Sequence, residues 1–231
     1  MVPLTKRTVV PSNDMITIVD SLLNRGITVV IVSGRGHSLL GVRNQLSTRN
    51  RKKIVIAPYN GAEIFLGNKR RITQRPLKIS PRTFRHRVGK SIEDFCANVK
   101  FKRYSIQIIP RSRSKRTLDT LTTVVRPMLP PGLVARSSGF AVDVFPTSQL
   151  KDTCLSYVSS LLRKNLRSLR VGDQGHELGN DYELLNVKGG FSVGTLSRNP
   201  FGCYPVVNCS GQSKSGVNGT EYLLGTTFGC V

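Results

Sequence analysis

The residues of this chain best suited to chemistry lie in the run Gly172-Asp173-Gln174-Gly175-His176-Glu177-Leu178-Gly179-Asn180-Asp181. Two carboxylates and an amide oxygen are hard ligands, the kind that suits a magnesium ion keeping part of its water shell. The apolar run ending in Leu169-Arg170-Val171 reads as a strand that delivers Asp173. Tyr182-Glu183-Leu184-Leu185 reads as the start of a helix opened by Asn180 and Asp181. A Gly-Asp at a strand's carboxyl end and a second carboxylate opening a helix can face one point at the rim of a parallel sheet, where ligands of open α/β sheets bind. The same residues also fit an ordinary loop in which Asn180 or Asp181 caps the helix. A second group, Ser33-Gly34-Arg35-Gly36, pairs a small hydroxyl with glycines ahead of a helix. That combination suits phosphate, because the hydroxyl and free backbone N–H groups all donate. Alone it is also a common turn.

The elements that must position these groups follow from periodicity. Ser12 or Asn13 caps a helix carrying Ile16, Val19, Leu22 and Leu23 at helical spacing, and Gly26 ends it as the left-handed residue. Ile27-Thr28-Val29-Val30-Ile31-Val32 is a β-branched run of the kind buried in a parallel sheet. Ile54-Val55-Ile56-Ala57 is a second such strand, leading to the turn pair Asn60-Gly61 and a short strand Ala62–Phe65. Helix, glycine turn and buried strand indicate an α/β repeat.

From residue 67 to 145 the pattern changes. Phe84, Val88, Ile92, Phe95 and Val99 fall on one helical face, and Tyr104, Ile106 and Ile108 alternate with Ser105 and Gln107 as a half-buried strand. A helix over Ser114–Val125 and a hairpin from Leu133–Ala135 and Phe140–Val144 complete an α+β unit inserted in an otherwise parallel chain. Thr147-Ser148-Gln149 is expected to cap the next helix, with Lys151 in its first turn. A cation there gains nothing from the helix dipole, so Lys151 is either a surface placement or held toward a bound anion. The expected division is a core of residues 1–66 and 146–231 around an inserted unit of 67–145.

Composition narrows the class. No apolar run reaches the length of a membrane span, and no signal-peptide pattern opens the chain. Five irregularly spaced cysteines indicate reduced thiols in a cytoplasmic protein rather than a disulfide framework, and one histidine near Asp173 without a Cys-x-x-Cys gives zinc little support. The chain holds 35 Lys and Arg against 13 Asp and Glu. Between Lys69 and Arg116 sixteen of them face only Glu93 and Asp94. Such an excess attracts polyanions such as nucleic acid, guides a small phosphorylated substrate, or is simply a solvated face. Aromatic residues that could stack on bases are few in that segment, which counts against nucleic acid.

In order, Val29–Arg35, Asn60-Gly61-Ala62-Glu63, Lys151, and Gly172-Asp173 with Asn180-Asp181 form a series that resembles the phosphatases of the haloacid dehalogenase superfamily. The inserted unit resembles the cap of its sugar-phosphate branch, notably Tyr104–Ile108 and the return Ala141-Val142-Asp143-Val144-Phe145-Pro146 toward Lys151. The resemblance implies a Rossmann-like parallel sheet with an α+β cap, acting with Mg²⁺ on a small phosphorylated metabolite such as a sugar phosphate. It implies that Ser33, with Gly34, Arg35 and Asn60, binds the phosphoryl group and that Lys151 neutralises its charge. Asp173 would hold the metal, supported by Asn180 and Asp181. Two departures stand out. Six residues separate Asp173 from Asn180, more than in the family's compact loop. The family's Asp-x-Asp-Gly-Thr motif, which carries the nucleophile and the general acid/base, has no counterpart: Leu4–Pro11 looks like the segment just after it, and Asp14 and Asp20 lie in the following helix. Either the start is shortened from an active phosphatase, or the chain is a non-hydrolysing relative whose basic unit binds a polyanion.

Overall fold

A computed structural model describes residues 11–163 and 167–229. Leu4–Val10 of the segment aligned after the missing motif lies outside the described residues. In chain order the elements are α1 (Asn13–Asn24), β1 (Val30–Val32), α2 (Gly41–Gln45), β2 (Val55–Ala57), β3 (Glu63–Leu66), β4 (Lys69–Ile72), α3 (Pro81–Glu93), β5 (Asn98–Phe101), β6 (Ile106–Ile109), α4 (Lys115–Val125), β7 (Leu133–Ser137), β8 (Val142–Pro146), α5 (Lys151–Leu162), β9 (Arg170–Gln174), α6 (Tyr182–Leu185), β10 (Gly190–Thr195), β11 (Tyr204–Pro205) and α7 (Gly216–Phe228). Among the described residues no helix is long and apolar enough to cross a membrane. The four described cysteines, Cys96, Cys154, Cys203 and Cys209, are free thiols.

Backbone proximity separates two units, residues 1–73 with 207–231, and residues 74–206. In the first, β1 and β2 pair in parallel, and β3 and β4 continue the sheet antiparallel in the order β1-β2-β3-β4. Ser12 caps α1 by accepting from the Met15 amide at 3.1 Å, and Gly26 takes φ +78° at its end. Val19 and Leu23 of α1 then bury against Leu39, Val42, Leu46, Ile54 and Ile56. β1 is only half-buried, being an edge strand of this sheet among the described residues. The opposite edge, β4, is the exposed run Lys69-Arg70-Arg71-Ile72. Its charges discourage pairing with another strand. The Gly/Ser-rich tail, in which the sequence showed no element, contains β11 and α7, and α7 packs on α1.

The second unit contains two sheets. The antiparallel sheet runs β5-β6-β8-β7, and the parallel one runs β11-β10-β9. Helices α3 and α4 cover one face of the antiparallel sheet. Phe84, Val88 and Ile92 of α3 and Leu118, Leu121 and Val125 of α4 meet Ile106, Ile108, Ala135, Val142 and Val144. Val99, placed by periodicity on the face of α3, instead belongs to β5, because α3 stops at Glu93 and Cys96 adopts φ +45°. The boundaries at 66/67 and 145/146 are not those of the compact units. Ser137 of β7 is hydrogen-bonded to the loop after β9, which ties the two sheets of the second unit together.

Leu121 is fully buried at the centre of this apolar cluster. Its replacement by Ala removes most of that side chain and leaves a cavity, so Leu121→Ala is expected to lower stability by about 2–5 kcal/mol. Chemical denaturation of the two proteins side by side measures it.

Candidate functional site

The first group of candidate residues sits where β1 ends. Ser33 continues the ladder with its amide donating to the Ala57 carbonyl at 3.1 Å, and its own carbonyl accepts from the Asn60 amide at 2.8 Å. Tyr59 donates to the Arg35 carbonyl at 2.8 Å. The Ser33–Arg35 turn is thus fastened along its length to residues 57–60. Tyr59, Asn60 and Gly61 all take positive φ, 54°, 55° and 91°, which lets the chain double back against that turn. The Arg35 amide donates to Ser33 Oγ at 3.2 Å. Ser33 therefore keeps its hydroxyl hydrogen to offer elsewhere, while the Ser33 and Arg35 amides are already engaged. The amide group of Asn60 lies against Gly34, whose Cβ, were there one, would stand 3.3 Å from Oδ1. That Oδ1 is buried without a hydrogen-bond partner. Ser33, Gly34, Arg35 and Asn60 are brought together in the first unit. Asp20 is occupied elsewhere, accepting from the Ser47 amide at 3.0 Å and from Asn50 Nδ2 at 2.9 Å.

The second group sits where β9 ends. Asp181 is almost fully buried, and its oxygens have separate duties. Oδ2 accepts from the amides of Asp173 and Gln174, each at 3.1 Å, while Oδ1 accepts from the Lys151 ammonium. The close approach needs Gly172, since a Cβ there would stand 2.7 Å from the Asp181 carboxyl. With both oxygens engaged, Asp181 does not act as a cap for α6, although it holds the N-cap position. Burial works against its ionisation, but the Lys151 charge and the three donors outweigh burial and hold the carboxyl below the usual range. Asp173 goes the other way: although the residue is exposed overall, partial removal of its carboxyl from water, then the neighbouring Asp181 charge, push it up. Asn180 donates its amide to the Ser137 carbonyl at 3.0 Å and keeps its side-chain Oδ1 buried and unpartnered. Lys151, Asp173 and Asp181 are therefore brought together, with Asn180 next to Asp181 in the chain and held to Ser137.

The oxygens left available are those of Asp173 and the Asn180 amide. Among the described residues no group of three or more His, Cys, Asp or Glu converges on a metal. A donor set of one carboxylate, one orphaned amide oxygen and water still suits Mg²⁺, which is held through one or two carboxylates and retains several waters.

Two features of this region were not legible in the sequence. Gln149, expected among the cap residues of α5, forms a 3₁₀ turn with Thr147 and Ser148; it is buried, and neither end of its amide finds a partner. The six residues between Asp173 and Asn180 form a strap. His176 Nδ1 meets Thr195 Oγ1 at 2.8 Å, and its Nε2 meets Asp119 Oδ1 of α4 at 2.9 Å and Ser137 Oγ at 3.3 Å. Ser137 also donates its amide to the Leu178 carbonyl at 2.7 Å, and Arg136 pairs with Glu183. Serine, histidine and aspartate here do not form a nucleophilic triad. Both acid and hydroxyl reach the same nitrogen, whereas a triad needs them on opposite nitrogens. A polar insertion gives no periodic signal, so only its length was visible.

Known proteins show the same architecture. No family model matches the chain, and no characterised protein matches it in sequence. Solved structures do match. An N-terminally truncated IMP-nucleotidase of Plasmodium falciparum superposes with a TM-score of 0.59 at 14% identity, over 95% of this chain and 66% of that one. A haloacid dehalogenase-like hydrolase of Bacteroides thetaiotaomicron gives 0.53 at 15% identity, over 78% of this chain and 80% of its own. A protein of Streptococcus mutans gives 0.55 at 15%, over 78% and 79%. The chain thus spans about two thirds of the Plasmodium structure and more of the bacterial ones. Its fold is that of the haloacid dehalogenase-like hydrolases, a Rossmann-like α/β core with an inserted α+β unit.

Removing Lys151 would leave the buried Asp181 carboxylate without its counter-ion. Breaking a buried pair in this way costs about 3–5 kcal/mol, so Lys151→Ala is expected to be destabilised by that order at neutral pH. The folded-state pKa of Asp181 lies below its ordinary 3.8, so its contribution is present above that value and lost as pH falls below it. The gap between the two proteins should therefore shrink with acidification. Denaturation curves from pH 7 to pH 3 follow it; a gap that widens toward acid contradicts the assignment.

Proposed function

We propose that this chain is the greater part of a Mg²⁺-dependent phosphomonoesterase of the haloacid dehalogenase type, acting on a small phosphorylated metabolite, with a sugar phosphate as the first substrate class. The observation that carries this reading is the division of labour at the end of β9. Asp181 is spent on Lys151 and two backbone amides, so the hard donors that remain in the loop are the Asp173 carboxylate and the unpartnered Asn180 amide oxygen. The fold supports it, because hydrolases of this architecture include a nucleotidase. Nucleoside monophosphates therefore belong beside sugar phosphates as substrates to be tried.

In this reading Lys151 offsets phosphoryl charge in the second unit, and Ser33, in the first, is the residue whose hydroxyl hydrogen remains to be donated to a phosphoryl oxygen. Asp173 and Asn180 hold the metal, which when bound neutralises developing phosphoryl charge and orients the group. Asp181 holds Lys151 and the loop and takes no part in proton transfer. The nucleophilic and acid/base aspartates of the family have no counterpart in the sequence. The reading therefore requires an Asp-x-Asp-Gly-Thr strand joined ahead of Leu4.

Two experiments test the proposal. Isothermal titration is expected to show Mg²⁺ binding that Asp173→Asn abolishes, while Ser33→Ala weakens orthovanadate binding without unfolding the chain. Unchanged metal affinity in Asp173→Asn removes the metal assignment. With the motif strand added ahead of Leu4, Mg²⁺-dependent phosphate release is expected from at least one member of a panel of sugar phosphates and nucleoside monophosphates. Metal binding without release from any of them rejects the phosphatase reading.

A further inference from the structure

A cavity of about 540 Å³ opens in the second unit where the turn after α3, the segment after β6 and the start of α4 meet. None of the residues lining it belongs to the candidate catalytic group. Its wall carries the guanidinium groups of Arg111 and Arg116, and neither is ion-paired among the described residues. Asp94 is the one acidic side chain among its described lining residues, and it lies beyond salt-bridge distance of both arginines. Hydroxyls complete the polar side: Thr117 Oγ1 donates to Ser112 Oγ at 3.3 Å, which leaves the Ser112 hydrogen free to donate. Phe95 supplies an apolar surface.

We infer that this cavity is a binding site for a phosphorylated small molecule, separate from the catalytic group. Two unpaired guanidinium forks can each offer two parallel N–H bonds to phosphate oxygens, with geometry that an ammonium lacks. The hydroxyl of Ser112 adds a neutral donor. The volume exceeds what a phosphate ion needs, and Phe95 offers the remainder of the ligand an apolar contact. Its concavity, with the Ser112 hydroxyl and the Phe95 ring beside the two arginines, distinguishes this pocket from the general basic surface. There, Arg82, Arg85, Arg87 and Lys90 of α3 are simply exposed.

Cys96 lines the same cavity with an exposed thiol and reports on its occupancy. Cys209 is also exposed, lies in the other unit, and serves as the internal control. The full chain is alkylated with iodoacetamide, with inorganic phosphate as the probe and ionic strength held constant with potassium chloride. The rate at each cysteine is read by peptide mass spectrometry. If phosphate occludes the cavity, mass action slows Cys96 alkylation about tenfold at a phosphate concentration about nine times Kd, while Cys209 is unaffected. Arg111→Gln with Arg116→Gln should abolish the protection, and Ser33→Ala, which keeps the fold, should leave it intact. Both arginines are exposed, so the double variant is expected to fold, which its circular dichroism confirms. Three results overturn the proposal: no protection by phosphate, protection that persists in the double variant, or protection lost in Ser33→Ala. Protection by a single-stranded oligonucleotide but not by phosphate would also overturn it and assign the surface to nucleic acid.

Discussion

The candidate site in the second unit depends on one buried carboxylate. Asp181 sits at the bottom of the loop after β9 and accepts from two backbone amides and one ammonium. Withdrawing a charge from water is costly unless each of its lone pairs finds a donor, and here the donors come from two separate elements, β9 and α5. Satisfying Asp181 therefore fixes the end of β9 against the start of α5. It also explains a residue that chemistry alone would not: Gly172 precedes Asp173 because any side chain there would collide with the Asp181 carboxyl.

The opposite pKa displacements of the two acids follow from the same arrangement. Asp181 takes the favourable donors and is held ionised; the Asp173 carboxyl is left partly removed from water with a like charge beside it. Two nearby carboxylates of which only one is satisfied form a natural seat for a cation, because a bound cation reverses the repulsion between them. The buried, unpartnered oxygens of Asn180 and Asn60 and the unpartnered amide of Gln149 extend the pattern. Buried polar atoms are normally hydrogen-bonded, so each marks a place where a ligand, ion or water has a role.

The fold was legible where periodicity was strong. α1 with its Ser12 cap and Gly26 terminus, β2, β6 and α4 all fall within a few residues of their sequence positions, because burial of one face imposes a repeat that the apolar residues must obey. Val99 was assigned to the wrong element because a helical face and the first residues of a following strand can share spacing over a short stretch. The tail hid α7 since Gly216, Gly219 and Gly225 weaken its helical signal. The candidate residues Ser33 and Asn60 in the first unit, and Lys151, Asp173 and Asp181 in the second, are visible in the sequence by residue type and spacing. The roles of Gln149 and the His176 strap are not, because they rest on contacts between residues far apart in sequence. The strap accounts for the long spacing between Asp173 and Asn180: its residues bind the loop to β7 and α4.

We propose that Asp173 and Asn180, and not Asp181, present oxygens to a divalent cation. Anomalous diffraction from crystals soaked in Mn²⁺ tests it directly. The account predicts one peak within bonding distance of the Asp173 carboxylate and Asn180 Oδ1, with Asp181 still bonded to Lys151 and to the amides of residues 173 and 174. A peak on Asp181 that displaces Lys151, or no peak in this loop at saturating Mn²⁺, contradicts it.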